Sequence, residues 1–372
     1  MAKFTHLHVH TEYSLLDGLS KIESLFAKAL ELGMDSLAIT DHGVMYGAIK
    51  FYLAAKEFEM KPIIGLEAYM AARSRFDKQA NIDSDRYHLI LLAKNETGYI
   101  NLMKLNTLSH LEGFYYKPRI DMEILKKHAE GLIASSACLE GEIPKLLAQR
   151  REKEAESKAK EFLEIFGSDF YLEIQDHPKI PQQKEVNKKM VALSRKLGIP
   201  LVATNDVHYI EKDDAEAQDA LLAVQTQKMI KDENRLSMIS SPDFYLRPQE
   251  EMIEAFKDYP EAIKNTRKIT QACNLEIPIG NWILPNYPLL EGETAEEQLK
   301  KLTYERLKDR YGEKPPQEIL KRIDYELGII CQKGFATYFL IVQDFVNWAK
   351  QQKIRVGPGR GSAAGSLVSY IL

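Results

Sequence analysis

Short apolar runs alternate with helical patterns over residues 4–204, and this alternation limits the folds open to the chain. The runs that predict strands are 4–10, 36–40, 62–67, 87–93, 131–136, 169–174 and 200–204. Apolar spacing between them predicts helices over 21–33, 46–58 and 153–166. Strands separated by helices favour parallel pairing. The sequence therefore predicts an α/β barrel or an open α/β sheet, with functional groups at the carboxyl ends of the strands.

Side chains that bind metal ions stand at the ends of most of these runs. His8 and His10 are two residues apart on a strand, so both leave the same face. The nine candidate ligands are His8, His10, Asp17, His42, Glu67, His88, Cys138, Asp206 and His208. Imidazole, carboxylate and thiolate groups hold catalytic divalent metals. Their concentration at one end of successive strands predicts a metal centre.

The other histidines fit this interpretation less well, and one ligand candidate departs from it. His88 opens its strand instead of closing it. His6 shares a face with His8 but lies deeper, which favours a hydrogen-bonded core histidine. We interpret His110 and His128 as structural or surface residues. His177, in EIQDHP, could reach the rim as a substrate or metal contact, or be structural.

Composition sets broad limits on the class of protein. A length of 372 residues fits two to three domains at ~150 residues each. The net charge of −4 gives no overall sign of nucleic-acid binding, although a local basic groove is compatible with it. Three widely spaced cysteines indicate a reducing compartment. Without a signal core or a run of ~18 apolar residues, we expect a cytoplasmic chain with no membrane partner.

The organisation changes between residues 270 and 290, where proline-containing turns end the alternation. We therefore expect one domain over 1–275 and a second over 276–372. Helical spacing predicts helices over 295–310, 317–333 and 338–351 in the second. The charge-rich stretch 145–166 of the first is typical of one solvated amphipathic helix.

A glycine-rich segment, GPGRGSAAGS at 357–366, follows a predicted strand over 354–356 and precedes a short helix. Glycines allow a phosphate to approach the backbone, and amides at a helix start attract it. Gly359, Arg360, Gly361 and Ser362 are thus candidates for binding a nucleotide phosphate, and a tight turn is the alternative. The spacing differs from a Walker A loop. The apolar, uncapped end GSLVSYIL leads us to expect a fragment of a longer protein.

Several long motifs resemble a known family. LHVHTEYSLLDG, ITDHGVMYGAIKFY, KPIIGLEAY, YHLILLAKNETGY, SSACLEGEI and ATNDVHY are similar to the polymerase-and-histidinol-phosphatase (PHP) domain. The version at the start of bacterial replicative DNA polymerase III alpha subunits is the most similar, and FYYKPRID at 114–121 also fits it. The resemblance covers essentially the whole chain. It implies a distorted (β/α)7 barrel followed by the truncated beginning of a polymerase-beta-like palm.

The resemblance also implies a distribution of up to three divalent metals. One is held by His8, His10, Glu67 and Asp206, a second by Glu67, His88 and Cys138, and a third by Asp17, His42 and His208. Asp17 and Cys138 stand where the wider family usually has histidine. Thiolate favours zinc, whereas carboxylate and imidazole admit manganese or iron. Glu67, Asp206 and His208 would be the catalytic residues.

The implied activity is hydrolysis of phosphodiesters, as a 3′→5′ proofreading exonuclease within a DNA-directed DNA polymerase. Its partners would be primer-template DNA and dNTP, and polymerisation would need magnesium. Other replicase subunits and a sliding clamp would bind through missing regions. The palm aspartates are expected downstream of residue 372. Candidates for the DNA path are Arg75, Lys117 and Arg119. The alternatives are a stand-alone phosphatase of a small phosphomonoester such as histidinol phosphate, and a metal-stabilised scaffold.

Overall fold

The computed structural model describes residues 3–232, 234–281, 283, 285–357, 359 and 361–372. It divides the chain into two compact units, Met1–Ile277 and Pro278–Leu372. The strands of the first unit are β1 Ser36–Ile39, β2 Lys61–Ala71, β3 Arg86–Ala93, β4 Phe114–Tyr115, β5 Lys117–Ile120, β6 Leu132–Ser135, β7 Phe170–Gln175 and β8 Leu201–Thr204. Its helices are α1 Ile22–Glu31, α2 Ala48–Glu57, α3 Glu96–Leu111, α4 Met122–Lys127, α5 Glu142–Ala148, α6 Glu152–Phe166, α7 Pro181–Leu197, α8 Ala215–Thr226, α9 Gln249–Ala255 and α10 Pro260–Ala272.

The strands of the first unit form one curved, mixed sheet. Hydrogen bonds join neighbours in the order β1, β2, β3, β6, β7, β8, and the β4–β5 hairpin pairs with the second half of β2. The β1–β2, β6–β7 and β7–β8 pairs are parallel. Residues of β1, β6, β7 and β8 are buried throughout. The apolar runs that predicted strands are therefore core strands covered on both faces.

β3 departs from the parallel arrangement that the sequence predicts. It runs antiparallel to both β2 and β6. Residues 72–85, which join β2 to β3, contain no helix, and a parallel return needs a long crossover connection. Reversal of β3 brings its first residues to the rim where the parallel strands end. His88, which opens its strand, therefore reaches the same rim as ligand candidates that close theirs.

Residues 4–10 do not form the regular strand that the sequence predicts, although they occupy a strand position. The segment holds an isolated bridge, Val9 to Val207. On one side the Thr40 amide donates to the Val9 carbonyl at 2.9 Å; on the other, His10 donates to the Val207 carbonyl at 2.7 Å. The hydroxyl of Thr40 accepts from the Val9 amide at 2.8 Å, so a side chain replaces one ladder bond.

This segment joins the two ends of the curved sheet. Residues 4–10 bond to β1 on one side and to the residues after β8 on the other. With β1, β2, β3, β6, β7 and β8 they make a ring of seven chain segments. The expectation of a distorted seven-stranded α/β barrel is confirmed.

Helices cover the outside of this ring through apolar residues at helical spacing. In α1, Ile22, Leu25, Phe26 and Ala29 are buried at i, i+3, i+4 and i+7. Three helices lie where the sequence predicts them, over 22–31, 48–57 and 152–166. The single amphipathic helix expected over 145–166 is wrong: α5 ends at Ala148 and α6 begins at Glu152. Arg150 has φ 61°, and this left-handed conformation ends a helix.

The second unit is helical in its described part. Its helices are α11 Ala295–Tyr311, α12 Gln317–Gln332, α13 Ala336–Gln351 and α14 Leu367–Ile371. Leu299, Ile323, Leu340 and Val368 belong to its apolar core. The strand predicted over 354–356 is wrong. Its residues are exposed and have no strand to pair with among the described residues of this unit.

Among the described residues, no single helix is long and apolar enough to cross a bilayer. Helices α12 and α13 taken together reach that length and composition, but the chain bends by 112° between them.

Candidate metal centre

The nine predicted ligands converge at one rim of the ring. His8 Nε2 lies 3.1 Å from His10 Nε2 and 3.1 Å from Asp206 Oδ1. Glu67 Oε1 is 3.2 Å from the same His8 nitrogen. His8, His10 and Asp206 offer ligand atoms close enough to one another to hold one ion. All three residues are buried, so an ion there would be shielded from bulk water.

Two further groups lie beside the first. His42 Nε2 is 3.3 Å from Asp17 Oδ2, and His208 Nε2 is 3.7 Å from Asp17 Oδ1. The His10 ring stacks on His42 with centroids 4.0 Å apart and lies 4.3 Å from that of His208. His10, His42 and His208 form a second group that could hold an ion.

Glu67 stands between these groups and a third. Its Oε1 is 2.9 Å from His88 Nδ1, and its Oε2 contacts His42 Nδ1. Cys138 Sγ is 3.6 Å from the same His88 nitrogen. His42, Glu67 and His88 form the third group. Glu67 therefore faces His8 and His88 with one carboxylate oxygen and His42 with the other.

Sharp backbone turns at the ends of the strands aim these side chains inwards. Asp206 has φ 51°, and Ala137, which precedes Cys138, has φ 58°. Gly43 follows His42 with φ 61°. These left-handed conformations are costly for residues with a side chain, and such strain is concentrated at functional sites.

Hydrogen bonds behind the ligands fix which ring nitrogen of each histidine faces the cluster. His8 Nδ1 donates to Glu173 at 2.8 Å. His10 Nδ1 is 3.0 Å from Ser14 Oγ, whose only hydrogen goes to Asp41 at 2.7 Å, so the histidine is the donor. His208 Nδ1 donates to the Asp206 carbonyl at 2.8 Å. In neutral rings the lone pairs of the three Nε2 atoms therefore point into the cluster.

Sequence reasoning missed Glu173 and Ser14. Glu173 is buried in β7 and accepts hydrogen bonds from His8, Ser135, Gln175 and Thr204. A single carboxylate inside the apolar run FYLEI was the available signal, because a buried charge needs partners. Nothing in the sequence marks Ser14 among the other serines.

The charges of the protein alone already favour ionised carboxylates at the rim. Burial opposes ionisation, but the neighbouring histidines outweigh it and hold the pKa of Glu67 and Asp206 well below the usual range. Burial and the charges of His42 and His208 lower the pKa of His10 to about 3. Burial likewise opposes charging of His8, but Asp206, Glu173 and Glu67 raise its pKa well above normal.

The unpaired atoms of the cluster show what it fits. Both oxygens of Glu67 and Oδ1 of Asp206 are buried without an aligned hydrogen-bond donor in the described structure. The Nε2 lone pairs of His8 and His10 face each other at 3.1 Å. Buried acceptors that converge without donors are costly, and cations between them remove that cost. The residues fit divalent metal ions.

Comparisons with known proteins agree with this geometry. Residues 6–177 match the family model described as the PHP domain, and residues 297–372 match the model described as the bacterial DNA polymerase III alpha NTPase domain. A DNA polymerase III subunit alpha from Borreliella burgdorferi is 50% identical over 100% of this chain, and one from Treponema pallidum is 48% identical over 99%.

The chain belongs to the DNA polymerase III alpha family. It spans about a third of the length of the curated relatives it matches, 32% of each of these two. A solved structure from Bifidobacterium adolescentis, provisionally described as a metal-dependent phosphoesterase, is 15% identical, with a TM-score of 0.35 over 56% of this chain and 88% of its own. That likeness is too distant to carry an argument. The first unit of this family member contains its PHP domain and the metal centre.

A cleft of about 520 Å³ opens onto the metal centre of the PHP domain. Asp17, His42 and His88 line it together with Tyr69 and Lys117. Lys117, one of the predicted DNA contacts, therefore lies at the site.

The other two predicted DNA contacts are wrong. Arg119 is fully buried, and its guanidinium donates to the carbonyls of Gly113, Asp83, Arg75 and Asp77. Arg75 is buried against Glu112, Asp121 and Glu123. Both arginines hold the loop before β3 and the β4–β5 hairpin in place. Their donors are occupied by protein groups, which leaves little for a phosphate.

The remaining histidines of the PHP domain lie outside the three ligand groups. His177 is buried, and its ring stacks on Phe244 with centroids 4.1 Å apart. Phe244 in turn meets His208 edge to face at 5.9 Å, so His177 is separated from the cluster by an aromatic ring. His6 is buried, and its Nε2 donates to the Arg247 carbonyl at 2.9 Å, which confirms it as a core histidine.

In the second unit, the structure describes three of the four predicted phosphate-binding residues. Gly359 and Gly361 have φ of 83° and 66°, and residues 361–365 form a 3₁₀ turn before α14. Ser362 lines a cleft of about 380 Å³ with Arg322 and Glu326. Arg360 lies outside the described residues.

Proposed function

We propose that this chain is the amino-terminal part of a bacterial replicative DNA polymerase and that its PHP domain hydrolyses DNA phosphodiesters as a 3′→5′ proofreading exonuclease. One observation carries the proposal. All nine ligand positions are filled by metal-binding side chains, and these converge at one rim with buried carboxylate oxygens that have no hydrogen-bond partner. A scaffold that binds no metal has no need of all nine.

The residues have distinct roles in this proposal. His8, His10, Glu67 and Asp206 would hold one ion, Glu67, His88 and Cys138 a second, and Asp17, His42 and His208 the third. Bound divalent ions would polarise a phosphoryl oxygen and supply a hydroxide near neutral pH. Manganese, zinc and iron all suit this mixed donor set. We assign Asp206, His208 and Glu67 as the catalytic residues of this reaction.

Side chains outside the ligand set orient the ligands. Glu173 holds the Nδ1 proton of His8, and Ser14 holds that of His10, so both rings keep Nε2 turned towards the cluster. The open cleft on the side of Asp17, His42 and His88 admits the substrate. The buried side, at His8 and Glu173, excludes water.

The second unit supplies the start of the polymerase palm. Gly359, Arg360, Gly361 and Ser362 would bind the triphosphate of an incoming dNTP through backbone amides and a charged side chain. The whole protein would use magnesium, primer-template DNA, other replicase subunits and a sliding clamp, and would act in the cytoplasm. The palm aspartates are expected outside residues 1–372, so this chain alone should not extend a primer.

A structural role for the metal centre is the second candidate. The observation that favours it is the complete burial of Glu67 and His8, because ions at those positions would also cross-link the barrel. Only activity separates the two candidates.

The deciding experiment is degradation of a 3′-mismatched primer by the chain with manganese or zinc. The test variant is Asp206→Asn with His208→Ala, and the matched control is Asp309→Asn with His128→Ala, neither of which is among the nine ligands. Cleavage from the 3′ end that the test variant loses and the control keeps supports the exonuclease. Stoichiometric metal with an intact fold and no cleavage contradicts it and favours the structural role.

A further inference from the structure

Two cations lie beside one aromatic ring at the mouth of the metal cleft. Lys117 Nζ is 5.7 Å and the Arg86 guanidinium carbon 5.5 Å from the ring centre of Tyr69. The same ring stacks near His42, 6.0 Å away, and meets His88 edge to face at 5.3 Å. The Tyr69 ring therefore lies between two positive side chains and two ligands of the metal centre.

These two cations differ from their neighbours because they lack anionic partners. Among the described residues neither forms an ion pair, whereas Arg73 and Arg75 of the preceding loop bind carboxylates. Arg86 makes one hydrogen bond, to the Ser84 carbonyl at 3.3 Å, and its buried Nε has no partner. Burial and the charge of Arg86 lower the pKa of Lys117; the charge of Asp17 acts in the opposite direction, but Asp17 forms no ion pair with Lys117. Two partly desolvated like charges held close together are unfavourable unless an anion joins them.

The surrounding backbone fixes the position of this pair. Tyr69 is paired across the sheet with His88 on one side and Arg119 on the other. Any side chain at Gly43 would come within 2.9 Å of both the Tyr69 ring and Pro118, so the ring is tightly packed. Arg86 and His88 are two residues apart on β3, and their side chains leave the same face about 7 Å apart along the strand. That is close to the spacing of successive phosphates along a nucleotide strand.

We propose that Lys117 and Arg86 bind the phosphate adjacent to the scissile one, so that the cleft selects a single-stranded nucleotide chain over a small phosphomonoester. The inference rests on the proposed phosphodiesterase function and adds a substrate-positioning site to it. A lone phosphate at the metal ions leaves both cations without a partner. A strand with a second phosphate one nucleotide further on supplies the missing anion.

Binding of an oligonucleotide tests the pair separately from cleavage. The probe is a fluorescein-labelled oligothymidylate whose 3′ linkages are phosphorothioates that resist hydrolysis. Affinity is measured by anisotropy over a series of salt concentrations. Lys117→Met and Arg86→Met should each weaken binding about tenfold and reduce the slope of log affinity against log salt by about 0.7, the change for one phosphate contact on a single strand. The matched control is Lys56→Met, because Lys56 also lies over a tyrosine, Tyr52, at 5.3 Å but on an outer helix.

The outcomes separate this inference from the proposed function. If both variants keep the slope of the unmodified chain, or if they bind the probe normally but lose metal, the inference is wrong. If the slope of log affinity against log salt falls as predicted in both variants, but the unmodified chain never cleaves DNA, the phosphate-binding site is supported and the exonuclease is not. In an active chain, Lys117→Met should lower kcat/KM for an oligonucleotide at least ten times more than kcat/KM for bis(4-nitrophenyl) phosphate.

Discussion

His8 Nδ1 donates to the carboxylate of Glu173 across 2.8 Å, and this contact decides which nitrogen of the histidine faces the metal centre. Glu173 also accepts from Ser135, Gln175 and Thr204, so it is held from several sides. A carboxylate behind a ligating histidine fixes the ring and raises its basicity.

We therefore expect Glu173→Gln to weaken metal binding about 10- to 100-fold without unfolding the barrel. Competition between the chain and a chelator, with metal measured by mass spectrometry, gives the affinity. Glu164→Gln, at an exposed position of α6, is the control and should change nothing. Normal metal affinity in Glu173→Gln would show that the contact does not orient His8.

Removal of metal should destabilise the first unit and spare the second. Chelation leaves the Glu67 oxygens and the opposed nitrogens of His8 and His10 without a cation, and their repulsion has to be relieved by protonation or movement. Hydrogen exchange should then speed up at residues 4–10 and 205–208 and stay constant in α11–α13. Exchange that is equally slow in both states would contradict this expectation.

Arg119 should be essential for stability and not for DNA binding. Its four carbonyl partners cannot all be reached by the single ammonium of lysine, so Arg119→Lys should cost roughly 3 kcal/mol of unfolding free energy. Urea denaturation followed by circular dichroism measures this cost. Arg151→Lys is the control, because Arg151 forms an exposed pair with Glu154 that is screened by solvent and should contribute little to stability. If the Arg119→Lys chain is as stable as the unmodified chain but binds oligonucleotides more weakly, Arg119 contributes to DNA binding and not to stability.

Gly98, in the first turn of α3, should tolerate no side chain. A Cβ there would lie 2.0 Å from the Gly131 carbonyl oxygen, which also accepts from the Lys94 amide and so cannot move freely. Gly98→Ala should destabilise the first unit by about 3 kcal/mol through overpacking. Thr97→Ala, exposed in the same turn, should stay within about 0.5 kcal/mol. Equal melting temperatures for the two variants would refute the argument.

Docking of α14 in the second unit should depend on pH through Glu326. Burial opposes ionisation of this carboxylate, but the Val368 amide at 3.0 Å, Arg322 and Ser366 outweigh burial and hold its pKa below the usual 4.5. A lowered carboxyl pKa stabilises the fold above about pH 4.5, and this contribution is lost as pH falls through the folded-state value. Protection of the Val368 amide from hydrogen exchange should therefore fall below pH 4.5.

The same loss of protection at neutral pH is expected for Glu326→Gln. The exposed Glu305→Gln should leave the Val368 amide protected. Protection that is independent of pH in the unmodified chain would show that the carboxylate does not hold α14.

The sequence predicted the ring and its ligands because strand ends and metal-binding residues are local features. It could not predict that β3 is reversed, since hydrophobic pattern does not encode strand direction, and His88 therefore seemed out of place until the rim was seen. Glu173 was missed because its role depends on His8, far away in the chain. Arg119 and Lys117 are two residues apart in one motif, yet one is buried among carbonyls and the other faces the cleft. The strand predicted over 354–356 failed because an apolar run needs a partner strand.

The bridge between Val9 and Val207 has a consequence for how the chain is made. It joins residues from the two ends of the barrel and places His8 and His10 beside Asp206 and His208. On the ribosome, the first two histidines emerge long before their partners, and a contact of such long range forms late in folding. Metal capture should therefore follow barrel closure during synthesis, so that a nascent chain arrested before residue 206 would carry its histidines without a complete centre to hold an ion.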